Sequence, residues 1–393
     1  MTSTTAPPRD DLVRRAAGLV PLLREHARWS EEHRRLPDET IEALADAGVF
    51  RLRVPARFGG YEADTATLHE VLTQLGRGDG AVAWTASVWT IPGWMVGMFP
   101  EEVQQEVYAT PDVRVCGTLS PSATGTPAPG GLTLNGRWSF ISGALHSHWQ
   151  EVIAMAPTPD GAGQWPVVAL VPMGDLEIVD DWDPAGLRGS GSVTTVARDV
   201  FVPQERVVPL PFVLQGRSAS AANADLPMYR NPLLAVANAS SMGTVIGLAQ
   251  AARENFLDRL PSRKITYTEY DHQADAPITH LQLADATLKI DEAQFHASRV
   301  TALADEGRGG DGWTLEERAR CRADMGAICR LGKEAVDLLA MASGGSSLNL
   351  AVPMQRIVRD MYAVNLHALM VPSTNFELYG RVLCGLEPNS PYI

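Results

Sequence analysis

Residues 134–149 read LNGRWSFISGALHSHW, and their rhythm decides what kind of chain surrounds them. Leu132, Leu134, Trp138 and Phe140 recur at even steps, the period of a β-strand. The Asn135-Gly136 pair between them predicts a hairpin with a two-residue turn, and Ser142-Gly143 ends its second arm. The same short, alternating runs, punctuated by Gly and Pro, extend from Val113 to about Leu210. Val152–Ala156, Val167–Val171 and Val193–Val202 supply further strands.

Outward on both sides the period lengthens to that of a helix. Upstream, Leu12, Ala16, Leu19, Val20 and Leu23 mark one apolar face. A second helix opens at Pro37-Asp38, with Asp38 as its cap, and stops at Gly48. Leu68, Val71, Leu72 and Leu75 mark a third. Ala81–Phe99, with Trp84, Trp89 and Trp94, is apolar almost all round, which predicts a helix buried between others. Downstream, Pro209–Pro227 has the composition of a linker. Leu234–Leu260, Ile278–Asp305, Thr314–Ser343 and Pro353–Leu383 then predict four long helices. The expected chain is mainly α with a central β domain: helices over 1–112, a β domain over 113–210, and a linker and four-helix bundle over 211–393. Strands and helices do not alternate, which argues against a doubly wound parallel sheet.

Composition narrows the partners. Lys+Arg 33 against Asp+Glu 46 gives a formal charge of −13, the wrong sign for a protein that grips a nucleic-acid backbone. The four cysteines, Cys116, Cys321, Cys329 and Cys384, stand far apart without CxxC spacing, against a zinc ribbon or a disulfide scaffold. MTSTTAPPRDD lacks the pattern of a secretory signal, and no run reaches the ~20 apolar residues of a membrane span. A cytoplasmic protein, without nucleic-acid or membrane partners, is expected.

Several motifs are missing: no GxxxxGK[ST], no GxGxxG after a strand, no GxSxG elbow. The glycine-rich GLRGSGS, 186–192, falls between strands. His146-Ser147-His148 has no carboxylate or cysteine at ligand spacing, so no metal site is expected. Ser142 reads either as part of a Ser-Gly turn or as a hydrogen-bond partner for the edge of a planar heterocycle, with Trp138 or Phe140 over its face. His367, at a break before Pro372-Ser373-Thr374-Asn375, reads either as a structural imidazole or as an acid/base facing a cavity. Arg263 and Arg381 read as solvated cations or as phosphate clamps.

Taken together, LNGRWSFISGALHSHW, DPAGLRGSGSVTTVARDVFVP (183–203), GRGDGAVAW (76–84) and the closing SGGSSL…RIVRDMYAV resemble the acyl-CoA dehydrogenase superfamily. The resemblance covers nearly the whole chain. It implies a helical N-terminal domain, a barrel-like β domain and a C-terminal four-helix bundle. Within that superfamily the chain looks most like the oxygenase components of group D two-component flavin monooxygenases. Dehydrogenases of this fold that use a C-terminal base carry a glutamate in a YEGT-type segment after their RD pair, while others place it elsewhere. Here Arg359-Asp360 is followed by MYAVNLHALMVPSTN, with His367 about where that glutamate falls. TEPxxGSD of the first flavin loop becomes LSPSATGT at Leu119–Thr126.

The resemblance implies FMNH2 or FADH2 delivered by a separate NAD(P)H:flavin reductase, molecular oxygen, and a C4a-hydroperoxyflavin that hydroxylates an aromatic or other electron-rich small molecule. Antibiotic biosynthesis or aromatic catabolism is the implied setting. By the same resemblance Ser142 meets flavin N5 beside Gly143, Trp138 and Phe140 flank the ring, and Ser120 lies near the pyrimidine edge. His367 orients the substrate or the hydroperoxide and helps to ionise a phenol. Arg263, Gly344, Gly345 and Thr374 meet the phosphate side, partly across a subunit boundary, which implies a homotetramer. The alternatives are an amino-sugar-type N-oxygenase of the same branch, an acyl-CoA dehydrogenase, and a non-catalytic flavin-fold binding protein.

Overall fold

A computed structural model describes residues 7–217, 220–308 and 312–393. Residues 1–6, which carry part of the N-terminal reading, and 218–219 of the expected linker lie outside these. Five helices lead: α1 (Arg9–His33), α2 (Asp38–Asp46), α3 (Thr65–Gly78), α4 (Gly80–Val96) and α5 (Glu101–Tyr108). Seven strands follow: β1 (Val115–Ala128), β2 (Gly131–Ile141), β3 (Trp149–Pro157), β4 (Gln164–Pro172), β5 (Glu177–Val179), β6 (Val193–Pro203) and β7 (Val207–Pro209). They form one mixed sheet in the order β5-β6-β2-β1-β3-β4-β7, with β1 and β3 parallel. Its hydrogen bonding ends at β5 and β7, so the barrel-like domain is an open sheet.

The Asn135-Gly136 turn is not where the hairpin bends. β2 runs straight through both residues, and the chain reverses at Pro129-Gly130, with Gly130 at φ +79°. Asn135 sits instead at a register shift against β6, its amide nitrogen on Asp199 Oδ1 at 2.9 Å. Gly136 is needed for close approach: a Cβ there would lie 2.2 Å from the Ala123 Cβ on β1. Asp38 is likewise not a cap by side chain. Pro37 holds the N-cap position, and Asp38 turns toward Arg35 and His146.

The remaining helices are α6 (Leu210–Leu214), within the expected linker, then α7 (Leu233–Arg259), α8 (Pro277–Asp305), α9 (Leu315–Ala342), α10 (Pro353–Asn365) and α11 (Pro372–Leu383). The fourth long helix is therefore two. Pro372 has no N–H to continue an upstream ladder, and residues 366–371 form a loop between α10 and α11. By length and composition Leu233–Ser262 is apolar enough to cross a membrane, but 89% of its apolar 18-residue window is buried inside the protein, as in a core helix.

α4 organises the interior. Trp84, Trp89 and Trp94 are spaced by five residues, so successive rings point about 140° apart around the helix. Each enters a different apolar cluster: Trp84 joins α7–α10, Trp89 the α1–α3 and sheet core, Trp94 the α5 and sheet core. A helix surrounded this way holds the sheet and both sets of helices in one register.

One buried acid makes the fold pH-sensitive. Glu151 on β3 is 2% exposed, its Oε1 has no hydrogen-bond partner, and burial raises its carboxyl pKa well above the usual range. Above about pH 4.5 the unfolded chain releases this proton while the folded one keeps it, so rising pH disfavours folding by up to about 1.4 kcal/mol per unit. Glu151→Gln is expected to remove that slope. Urea midpoints of both proteins between pH 5 and 8 should diverge as pH rises; a constant difference would contradict the assignment.

Candidate active site

β2 delivers Ser142 to the N-terminal half of α4. Ser142 is 4% exposed, and its Oγ accepts a hydrogen bond from Trp84 Nε1 at 3.0 Å and lies 2.7 Å from Ser192 Oγ. The turn that places it depends on Gly143 at φ +74°, whose absent side chain leaves room for Trp89 Nε1. The Gly143 amide donates to Ser190 O at 2.9 Å, and the Ser142 amide to Phe140 O at 3.0 Å. Both amides of the turn are thus engaged inside the protein, and the hydroxyl is what Ser142 has to offer.

Trp84 joins Ser142 to His367. Its ring meets the His367 imidazole edge-on, with centroids 5.1 Å apart. His367 lies in the loop between α10 and α11, held at both ends by its backbone: its amide donates to Val364 O, and its carbonyl accepts from Met370 and Val371. Its imidazole is exposed at the surface of the loop, with other protein groups packed around it. That surrounding, with the Arg322 guanidinium, lowers its pKa to about 4. The imidazole is neutral at neutral pH. Arg322, itself buried, donates from Nε to Asn375 Oδ1 at 2.6 Å, and Asn375 Nδ2 donates to Leu369 O at 3.0 Å, which fixes the His367 loop from behind.

Phe140 and Trp138 part company. Phe140 takes φ +63°, beside a register shift in β2, and turns its ring outward, 73% exposed and edge-on to Trp182. Trp138 is fully buried in the sheet core with Nε1 on Ile153 O at 3.0 Å. The indole expected beside a ring has no free face; only Phe140 has. Ser120 is exposed on β1, its carbonyl accepting from Ser122 Oγ. Thr374 is exposed in the first turn of α11, its hydroxyl donating to Val371 O at 3.0 Å.

A second cluster forms at the far ends of α7 and α9. Arg263 Nη1 and Arg259 Nη2 both donate to Ser346 Oγ, beside Gly344 and Gly345. Gly344 takes φ +63°, and a Cβ there would stand 3.2 Å from Arg263 Nη2. Neither guanidinium has an ion-pair partner among the described residues, and Arg263 Nε and Arg259 Nη1 are buried without acceptors. Burial and the neighbouring Arg259 lower the Arg263 pKa. Two unneutralised cations with orphaned donors fit a phosphate-bearing group. Arg381 is separate, its Nε on Glu387 O at 3.0 Å. His146 and His148 spend ring nitrogens on Leu36 O and the Arg114 amide, and no group of three or more His, Cys, Asp or Glu converges among the described residues.

Sequence reasoning missed Trp84 as the link between Ser142 and His367, and missed the hydroxyls of GLRGSGS. Leu187 of that loop donates its amide to the buried Asp360 at 2.6 Å, while Ser190 and Ser192 lead from it to Ser142.

This architecture is that of the acyl-CoA dehydrogenases: their N-terminal domain matches residues 16–114 and their C-terminal domain residues 239–372. Within that superfamily the chain belongs to the oxygenase components of two-component flavin-dependent monooxygenases. It is 30% identical to the flavin-dependent monooxygenase oxygenase subunit HsaA of Rhodococcus jostii, over 95% of this chain and 98% of that one. It is 31% identical to the oxygenase component of an FADH2-dependent resorcinol hydroxylase from a Rhizobium species, over 98% and 97%. XiaF from a Streptomyces species, solved with FADH2 and glycerol, superposes with a TM-score of 0.92 at 30% identity, covering 98% of each chain.

Proposed function

We propose that this protein hydroxylates an electron-rich aromatic small molecule, taking reduced flavin from a separate NAD(P)H:flavin reductase and oxygen from solution. The observation that carries the reading is His367 standing on Trp84, which in turn donates to Ser142. By the resemblance, the imidazole stands about where dehydrogenases with a C-terminal base carry their glutamate. When bound, the reduced flavin supplies the electron pair that splits oxygen between substrate and water.

The chain's own residues bind and orient. Ser142 meets the N5 edge, Phe140 covers the ring and Ser120 stands by the pyrimidine side. Arg263, with Gly344 and Gly345, takes the phosphate end, and Thr374 lies on that side. Gly143 acts through the turn rather than by its amide. His367 accepts a hydrogen bond from a substrate hydroxyl. Its lowered pKa makes it a weak base toward a phenol. Its main part is then to hold the ring carbon in line. The Arg263 cluster, at the far ends of α7 and α9, would serve a flavin held partly by a second copy. The test is coupled turnover: with a flavin reductase, NAD(P)H and air, a phenolic panel that includes resorcinol should yield hydroxylated product. Bleaching of enzyme-bound flavin by anaerobic acyl-CoA would instead establish a dehydrogenase.

The assembly proposed is a homotetramer built on α8. Ile278, Leu281, Leu288 and Phe295 are each more than half exposed and fall at steps of three and seven, one apolar stripe. Light scattering after size exclusion should give about four times 42.4 kDa, and Leu281→Asp with Leu288→Asp should dissociate it and abolish flavin binding. A wild-type monomer would contradict the shared site. The cytoplasm, where reduced nicotinamide feeds such reductases, suits its four free cysteines.

A further inference from the structure

Ser190, Ser192 and Ser142 form a chain of three hydroxyls whose protons can be assigned by counting. Ser190 Oγ lies 2.7 Å from Leu187 O, a carbonyl that can only accept, so the single Ser190 proton is committed there. Ser192 Oγ, 2.7 Å from Ser190 Oγ, must then donate to it. Ser142 Oγ, 2.7 Å from Ser192 Oγ, must donate in turn. Trp84 Nε1 donates into Ser142 at 3.0 Å. All three serines are at most 4% exposed, so bulk water does not scramble the order. The far end is pinned, since the Leu187 amide donates to Asp360 and Leu187 holds φ +52°.

We propose that Ser190 and Ser192 are positioning residues that turn Ser142 into an obligate hydrogen-bond acceptor, so that the site selects reduced over oxidised flavin. This rests on the reading that Ser142 meets flavin N5. Having given away its proton and received one from Trp84, Ser142 Oγ keeps one free lone pair. Reduced flavin carries a hydrogen on N5, which that lone pair accepts. Oxidised flavin presents a lone pair on N5, and two lone pairs face each other without a bond. One hydrogen bond made in one state and frustrated in the other corresponds to about tenfold in relative affinity. An oxygenase that borrows its flavin needs this preference: it must capture the reduced form from its reductase and release the oxidised one after turnover.

Anaerobic titration with reduced and with oxidised flavin, followed by fluorescence, reads the ratio directly. Ser192→Ala leaves the Ser142 proton unclaimed and free to donate to oxidised N5. The reduced-to-oxidised affinity ratio should fall about tenfold, which lowers the bound two-electron potential by about 30 mV. Ser192→Thr keeps the hydroxyl and should restore the ratio. Ser190→Ala, one link further away, should shift it in the same direction by less, and it decides the matter if Ser192→Ala does not fold. Ser142→Ala separates the two ideas. If it leaves the ratio unchanged, Ser142 does not meet N5 and the relay falls with it. If it lowers the ratio while Ser192→Ala and Ser190→Ala do not, Ser142 stands and the relay is overturned.

Discussion

His367→Ala is expected to lower product formation by about a hundredfold while reduced flavin is still consumed by oxygen at close to the wild-type rate. The loss is one of aim. His367 stands on Trp84, and the loop that carries it is clamped by Asn375 and Arg322. A neutral imidazole fixed in this way holds a substrate hydroxyl at one distance and angle, and losing such a constraint costs about two orders of magnitude. Oxygen that is activated but not transferred should leave as hydrogen peroxide, so peroxide rises as product falls. His367→Gln, which retains an acceptor, should recover part of the coupling. Since the pKa is lowered to about 4, the acid limb that depends on this residue should fall near pH 4 and not near 6.5. Unchanged product and peroxide yields in His367→Ala would show that the imidazole is structural.

Gly143→Ala should be nearly as damaging, by a different route. The residue holds φ +74°, where a side chain is strained by about 1 kcal/mol. The new Cβ would also stand 2.5 Å from Trp89 Nε1 and 2.6 Å from Cε2. Trp89 is buried and its Nε1 donates to Ser147 Oγ at 2.9 Å, so it cannot retreat without breaking that bond. Together the strain and the overlap should destabilise the protein by about 2–4 kcal/mol. Thermal melting and flavin titration should show both a lower Tm and weaker binding, because Ser142 moves with the turn. A variant with wild-type Tm would mean that the turn has slack the structure does not show.

Most of the long helices were legible because they bury apolar residues at a helical period, and α4 because it buries nearly every face. The short α5 and α6 and the break between α10 and α11 were not. Nor was the consequence of α4. That Trp84 would link Ser142 to His367 depends on which neighbours the fold brings to each side of α4, and an all-apolar run carries no direction. The Asn135-Gly136 turn misled for a related reason: the pair has the local chemistry of a turn, but Pro129-Gly130-Gly131 lies a few residues upstream and takes the reversal, leaving Asn135 at a register shift. Even spacing placed Trp138 and Phe140 on one face. The shift before Ile141 and the positive φ of Phe140 put one indoors and the other outside. The serines of GLRGSGS were hidden by their glycines, since hydroxyl partners 50 residues apart leave no periodic trace.

One atom of molecular oxygen should pass from reduced flavin to an aromatic substrate beside Ser142, Trp84 and His367. Single turnover under 18O2, with chemically reduced flavin, a phenolic substrate and no reductase, tests it most directly. The predicted result is one labelled oxygen in the product, one hydroxylated product per flavin oxidised, and loss of that label in His367→Ala with peroxide in its place. Flavin oxidation that leaves every phenol unlabelled, or product oxygen drawn from water, would contradict it.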